Sequence, residues 1–218
     1  MLKVTNLNIS FLTEEGKIEV VHNINFSLKK NEILGIVGES GSGKSVTSLA
    51  IMGLLPDKTS RTEGKILFND IDLNKLSDKE FQKIRGAQIA MIFQDPMSAL
   101  NPSLTCGYQV QEMLLQHKRA TKKTVKNKVI ALFEKVKLPR VKTIFNQYPH
   151  QLSGGQKQRI IIAMAIACKP QLLIADEPTT SLDVTVQNEI ILLLKELQQE
   201  TKMGMLFISH DLTLVSEV

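Results

Sequence analysis

Apolar and polar positions alternate through the first thirty residues. Leu2–Val4, Leu7–Ile9, Ile18–Val21 and Ile24–Phe26 read as short strands of a half-buried antiparallel sheet, with the polar turn Glu14-Glu15-Gly16-Lys17 between two of them. A compact apolar run from Glu32 to Val37 then stops at a glycine-rich loop. Helical periodicity follows from about Lys44 to Leu55 and ends at Pro56. Gly64–Phe68 and Ile89–Phe93 read as strands. Between them lies a short helix over 77–84, opened by Ser77 with Glu80 three residues on, the spacing of a capping box. After Gln94 the signal turns helical, with amphipathic stretches at 106–118 and 121–137. Helix 153–168, strand 171–175, helix 184–201, strand 205–208 and a helical start at Leu212 follow. Alternating strands and helices in the second half predict an α/β fold with a helix-covered parallel sheet. The first part looks antiparallel, and an all-helical block interrupts the sheet.

Composition adds little to this picture. The chain has 218 residues, 43% hydrophobic and 22% charged, which fits a folded domain and excludes disordered or collagenous classes. Its longest apolar run, Ile160 to Cys168, is about half of the ~18 residues a spanning helix needs. The start Met-Leu-Lys-Val-Thr-Asn lacks a signal-peptide layout, so a cytosolic chain is expected. Cys106 and Cys168 lie far apart in helical-looking stretches and suggest neither a disulfide nor a metal site. The net charge of +5 is local: Lys118 to Lys142 holds ten Lys or Arg and one acidic residue, Glu134. No aromatics interleave there for base stacking, and Phe133 sits among apolar neighbours, so a solvated helix surface is favoured over a nucleic-acid or lipid face.

Three short motifs carry chemistry. Gly38-Glu39-Ser40-Gly41-Ser42-Gly43-Lys44-Ser45 is a phosphate-binding loop placed between a strand and a helix. Its backbone N–H groups and the helix N-terminus suit phosphate; Lys44 would reach the β- and γ-phosphates and Ser45 would ligate Mg²⁺. Leu172 to Glu177 is a buried strand ending in two carboxylates, where Asp176 can hold Mg²⁺ and Glu177 can polarise an attacking water. Glu177 also points to hydrolysis rather than transfer to a small molecule. Leu152-Ser153-Gly154-Gly155-Gln156 opens a helix with Ser153 as N-cap, and its glycine pair leaves amides bare for an anion.

The last motif resembles the signature sequence of ATP-binding cassette (ABC) proteins, and the resemblance covers nearly the whole chain. The loop at 38–45 is similar to that family's Walker A and 172–177 to its Walker B. Ser181-Leu182-Asp183 is similar to the D-loop, His210 to the switch histidine and Gln94 to the Q-loop glutamine. The resemblance implies a P-loop NTPase (RecA-like) core over 1–218. It divides into an antiparallel β subdomain and first core part (1–94), a helical subdomain (95–152), and the signature helix with the rest of the core (153–218). ATP and Mg²⁺ are the implied cofactors. ATP would touch Gly38, Ser40, Gly41, Ser42, Gly43, Lys44, Ser45 and Val46, with Phe11 stacking on adenine. Ser45, Gln94 and Asp176 would surround the metal. Glu177 would be the general base, assisted by His210 and Gln94. Ser153, Gly154, Gly155, Gln156 and Asp183 would contact ATP held by a second cassette.

Finer resemblance, through Lys44–Thr47, Ile51–Pro56, Phe93–Pro102 and Tyr148–Gln151, points to the oligopeptide/dipeptide/nickel importer cassettes, first-cassette type. It implies an ATPase on the cytoplasmic side of the membrane, coupled to a permease and indirectly to an extracytoplasmic solute-binding protein. A heterodimer or tandem fusion is favoured over a homodimer. Residues 94–118 would be the docking surface, and no nucleic acid is expected as partner. The alternatives are a soluble ABC ATPase acting on ribosomes or nucleic acid, and a non-hydrolytic regulator, against which Glu177 and His210 argue. The chain stops eight residues after His210, where the family pattern continues, so an apparently truncated C-terminal end is expected.

Overall fold

Among the residues that the computed structural model describes (1–95, 99–180 and 182–217), the strands form two four-stranded sheets. The first is antiparallel, in the order β2-β1-β4-β5, from β1 (Leu2–Thr13), β2 (Gly16–Leu28), β4 (Ser60–Phe68) and β5 (Ile71–Asp72). The second is parallel, in the order β3-β8-β7-β6, from β3 (Ile33–Val37), β6 (Ile89–Ile92), β7 (Leu172–Asp176) and β8 (Gly204–Ser209). The α/β class with an antiparallel N-terminal sheet is as expected.

The four short N-terminal strands are instead two long ones. Asn6 and Asn23 adopt left-handed backbone, with φ of 49° and 47°, where the β1–β2 register shifts. Neighbouring asparagines satisfy the displaced amides: Asn6 N–H donates to Asn25 Oδ1 at 2.8 Å, and Asn23 N–H to Asn8 Oδ1 at 2.7 Å. The strands therefore run through polar positions that read as breaks in the sequence.

Helices α1 (Lys44–Ile51) and α2 (Asp78–Ile84) follow β3 and β5. At the start of α2 the Glu80 carboxylate accepts from the Ser77 amide at 2.9 Å and from its hydroxyl at 2.6 Å. Between β6 and β7 lie α3 (Cys106–Gln116), α4 (Val125–Lys135), α5 (Val141–Ile144) and α6 (Gly154–Ile166); α7 (Val184–Thr201) and α8 (Leu212–Ser216) flank β8. Helix α1 stops earlier than its periodicity suggested, because the chain reverses at Gly53, with φ of 59°.

Every residue of β7 and β8 is buried, and successive side chains serve opposite faces. Leu173, Ala175, Met205 and Phe207 join one core with α3, α4, α6 and α7, including Val110, Val129, Phe133 and Ile160. Leu172, Ile174, Leu206 and Ile208 join a second core with the antiparallel sheet, α1 and α2. Arg159 ties three helical segments together. It donates to Val136 O at 3.0 Å beyond α4 and to Glu189 Oε2 of α7 at 2.7 Å.

Two lysines of the basic stretch are engaged with α7, Lys135 with Glu200 at 2.8 Å and Lys137 with Glu196 at 2.5 Å. Both cysteines are free and buried, and burial pushes the Cys106 thiol up to about 11. Among the described residues, no helix is long and apolar enough to cross a membrane.

Candidate functional site

The parallel strands end on one edge, and the chemistry gathers there. At the end of β3 the chain wraps into the loop 38–45 and enters α1. Gly43 caps that helix with φ of 86°, and a Cβ there would lie 2.9 Å from Val21 Cγ2 and 3.0 Å from Val20 O. Only glycine meets both conditions, so β2 braces the loop. The cap makes no side-chain hydrogen bond, which leaves the first amides of α1 to face the loop. Lys44 is buried and curls back over the loop, donating to Gly38 O at 2.6 Å and Glu39 O at 2.7 Å, with Ser42 Oγ at 3.4 Å. Val46 is half-buried against the second core.

Asp176 ends β7 with 2% of its surface exposed. Burial pushes its carboxyl above the ordinary carboxylate range. A hydrogen bond from Ser45 opposes the shift, the Glu177 charge reinforces it, and the Lys44 charge opposes it. Its Oδ1 is buried without a partner among the described residues. An orphaned anionic oxygen beside a serine hydroxyl suits a hard cation with oxygen ligands, so the residues fit Mg²⁺. Ser45, Gln94 and Asp176, the three residues expected around the metal, line one cleft of about 420 Å³ with Leu49, Met91 and Phe93.

Next to it, Glu177 is 8% exposed, and its Oε2 gathers three groups. Gln94 Nε2, just beyond β6, donates at 2.9 Å; His210 Nδ1, just beyond β8, lies at 3.2 Å; and Thr180 Oγ1 donates at 3.2 Å. Three neighbouring strands thus bring the expected catalytic residues onto one carboxylate oxygen. The carboxyl end of a parallel sheet is where α/β folds bind ligands.

The signature residues assemble elsewhere. Ser153 caps α6: its amide donates to Gln156 Oε1 at 3.1 Å, and its Oγ accepts from the Gln156 amide at 3.3 Å. A Cβ on Gly154 would come within 3.1 Å of Leu182 Cδ2, and one on Gly155 within 2.7 Å of Val186 Cγ1. The glycine pair, read from sequence as an anion cradle, also lets α6 approach α7. Asp183 caps α7, accepting from the Val186 amide at 3.0 Å. Ser153–Gln156 and Asp183 are therefore neighbours of each other, and none of them lines the cleft or bonds to Glu177 Oε2 in the geometry above. Phe11 lies in β1 opposite Ile18 and Ser60, half-buried against the second core. Ser181 of the D-loop motif and 96–98 of the segment after Gln94 lie outside the described residues.

Two residues escaped the sequence reading. Thr180 reaches Glu177, and buried Gln158 of α6 donates to Pro178 O at 2.6 Å. Only the turn after β7 brings them there, and the one signal for Thr180 is its place three residues after the carboxylate.

A phosphate loop, a cation-fitting aspartate and a triply held glutamate on one sheet edge define a P-loop nucleotide-binding domain. The chain belongs to the ABC transporter family, whose model matches residues 21–180. It is 52% identical to the dipeptide transport ATP-binding protein DppD of Bacillus subtilis (strain 168), covering 100% of this chain and 65% of that protein. The oligopeptide transport ATP-binding protein OppD of the same strain is 49% identical, with 100% and 61% covered. The chain thus spans less than two thirds of these relatives' length. An ATP-binding cassette solved as a dimer in a post-hydrolysis state bound to ADP and Pi superposes with a TM-score of 0.87. It is 33% identical, with 100% of this chain and 91% of that one covered.

Proposed function

We propose that this chain is the ATP-hydrolysing cassette of a membrane importer for peptides or a similar small solute, acting at the cytoplasmic face of the membrane. The observation that carries the reading is the convergence of Gln94 and His210 on Glu177, beside the cleft that joins Ser45 to Asp176. Phosphates of ATP are received by the amides of 38–45 and by Lys44, which exchanges the carbonyls of Gly38 and Glu39 for phosphate oxygens. Phe11 stacks on adenine. Ser45, Gln94 and Asp176 would hold Mg²⁺, which would supply neutralisation of the charge on the phosphate oxygens. Glu177 takes the proton of the attacking water, with His210 orienting that water and the γ-phosphate.

Ser153, Gly154, Gly155, Gln156 and Asp183 face ATP bound by a second, unlike cassette. Their position at the joined ends of α6 and α7, apart from this chain's own phosphate loop contacts, supports a contact in trans, and the dimeric state of the solved cassette supports the pairing of two cassettes, though not their being unlike. The names of the two relatives support a transport role and peptides as the solute class. Residues 94–118 are the permease contact, and a solute-binding protein delivers cargo to that permease.

The test uses the tagged Glu177→Gln protein in its native cells. Nucleotide-trapped complexes are purified in mild detergent and their components identified by mass spectrometry. Recovery of a polytopic permease with a second cassette is expected. Recovery of ribosomes or DNA-bound proteins without a permease would overturn the importer reading.

A further inference from the structure

Glu177 occupies unusual backbone, with φ of 46° in the left-handed region that side-chain-bearing residues avoid. Such a conformation persists only where its surroundings enforce it. Here the enforcement is local. The Thr180 amide donates to Glu177 O at 3.2 Å, the Thr180 hydroxyl lies 3.1 Å from that same oxygen, and it also lies 3.2 Å from the carboxylate Oε2. A hydroxyl has one proton to give, so Thr180 serves either the carbonyl or the carboxylate at a given moment.

The three groups on Oε2 differ in kind. Gln94 and His210 stand on exposed segments beyond β6 and β8, and His210 keeps 59% of its side chain exposed. In the proposed reaction both have a second task, Gln94 at the metal and His210 at the γ-phosphate. Each must release or share its hold on Glu177 when ATP is in place. Thr180 alone belongs to Glu177's own turn and has no task at the metal or the nucleotide in that scheme, and the carbonyl it also reaches is Glu177's own.

We propose that Thr180 is a positioning residue for the general base. Its hydroxyl holds Glu177 Oε2 while Gln94 and His210 turn to the nucleotide, so that Oε1 is the oxygen that takes the water's proton. This rests on the reading of Glu177 as the base of an ATPase. The charge-assisted bond from Thr180 keeps the carboxylate in its attacking orientation during turnover.

The experiment uses the complete gene product in the complex it forms in its own cells. ATP turnover is measured for the parent, Thr180→Val, Thr180→Ala, Thr180→Ser and Glu177→Gln. The Glu177→Gln rate sets the background from any partner cassette, and nucleotide-dependent thermal shifts report folding. Thr180→Val and Thr180→Ala are expected to lower the Glu177-dependent kcat by about tenfold, the scale of one hydrogen bond to a charged group. The KM for ATP should stay within about twofold, because the bond acts on the base and not on substrate binding. Thr180→Ser should recover most of the loss.

Parental kcat in the Val and Ala variants overturns the proposal. So does a rise in KM at unchanged kcat, a loss that serine does not restore, or failure of both hydroxyl-free variants to fold, which would give Thr180 a purely structural turn role. A parental rate no higher than that of Glu177→Gln would remove the general-base reading itself, and the proposal with it.

Discussion

Gly155→Ala separates the packing role of the signature glycines from any contact with nucleotide. The new Cβ would sit 2.7 Å from Val186 Cγ1. Ordinary carbon contact is about 3.5–4.0 Å, so something must move by roughly 0.8–1.3 Å. Val186 yields poorly: a β-branched side chain in a helix has one strongly preferred rotamer, and its amide is pinned by the Asp183 cap. Overpacking of this kind costs about 1–3 kcal/mol. Alanine recovers up to about 1 kcal/mol through helix propensity, less in a first turn. The single variant should therefore lose about 1 kcal/mol. Val186→Ala removes the obstructing methyl, so in that background Gly155→Ala should become neutral or stabilising. The coupling in the double-mutant cycle then equals the clash itself, about 1–3 kcal/mol. The chain has no tryptophan, so urea unfolding of the four nucleotide-free proteins is best followed by far-ultraviolet circular dichroism. Additivity within about 0.5 kcal/mol would refute the contact argument and return these glycines to an anion-binding role alone.

Asp176→Asn should raise the thermal midpoint of the nucleotide-free protein at neutral pH. Burial raises the folded-state pKa of this carboxyl, so its ionised form opposes folding above that pKa, and the opposition fades as pH falls through it toward the ordinary value of 3.8. Parallel pH profiles of midpoint for variant and parent would show the carboxylate to be fully compensated. Phe133, with 0% exposure, anchors the helical block. Phe133→Ala should cost about 3–5 kcal/mol in urea titration, and a cost under about 1 kcal/mol would contradict the packing described. Burial pushes both thiols up, that of Cys106 to about 11, so neither should react with a thiol reagent at pH 8 until the chain is unfolded. Rapid labelling of the native protein would show that α3, which carries Cys106, or the turn after α6, which carries Cys168, opens.

The placement of the loop 38–45 between a strand and a helix was legible in the sequence, because its glycines, lysine and serine stand in one short run. Helix α7 was legible too, and its bounds match the expected 184–201, since its apolar periodicity runs unbroken. The continuity of β1 and β2 was not. Asn6 and Asn23 have the signature of turn formers, and only cross-strand asparagines turn those kinks into bulges. Thr180 and Gln158 stayed invisible for a related reason. Their partners are a carboxylate and a carbonyl placed by a left-handed residue, a conformation glutamate rarely takes and sequence patterns do not announce. The second role of Gly154 and Gly155 needed the approach of α7, which is a tertiary fact.

The alternation along β7 and β8 makes the parallel sheet a partition between two compartments. Helices α3 to α7 lean on Leu173, Ala175, Met205 and Phe207, while the phosphate loop's helix and the antiparallel sheet lean on Leu172, Ile174, Leu206 and Ile208. The helical block therefore bears on one set of side chains and the phosphate loop's helix on the other, while Gln94, bonded to Glu177, links the two at the edge of the sheet. Hydrogen exchange should then divide the protein along this wall, with each compartment opening at its own free energy and the two central strands protected until both have gone.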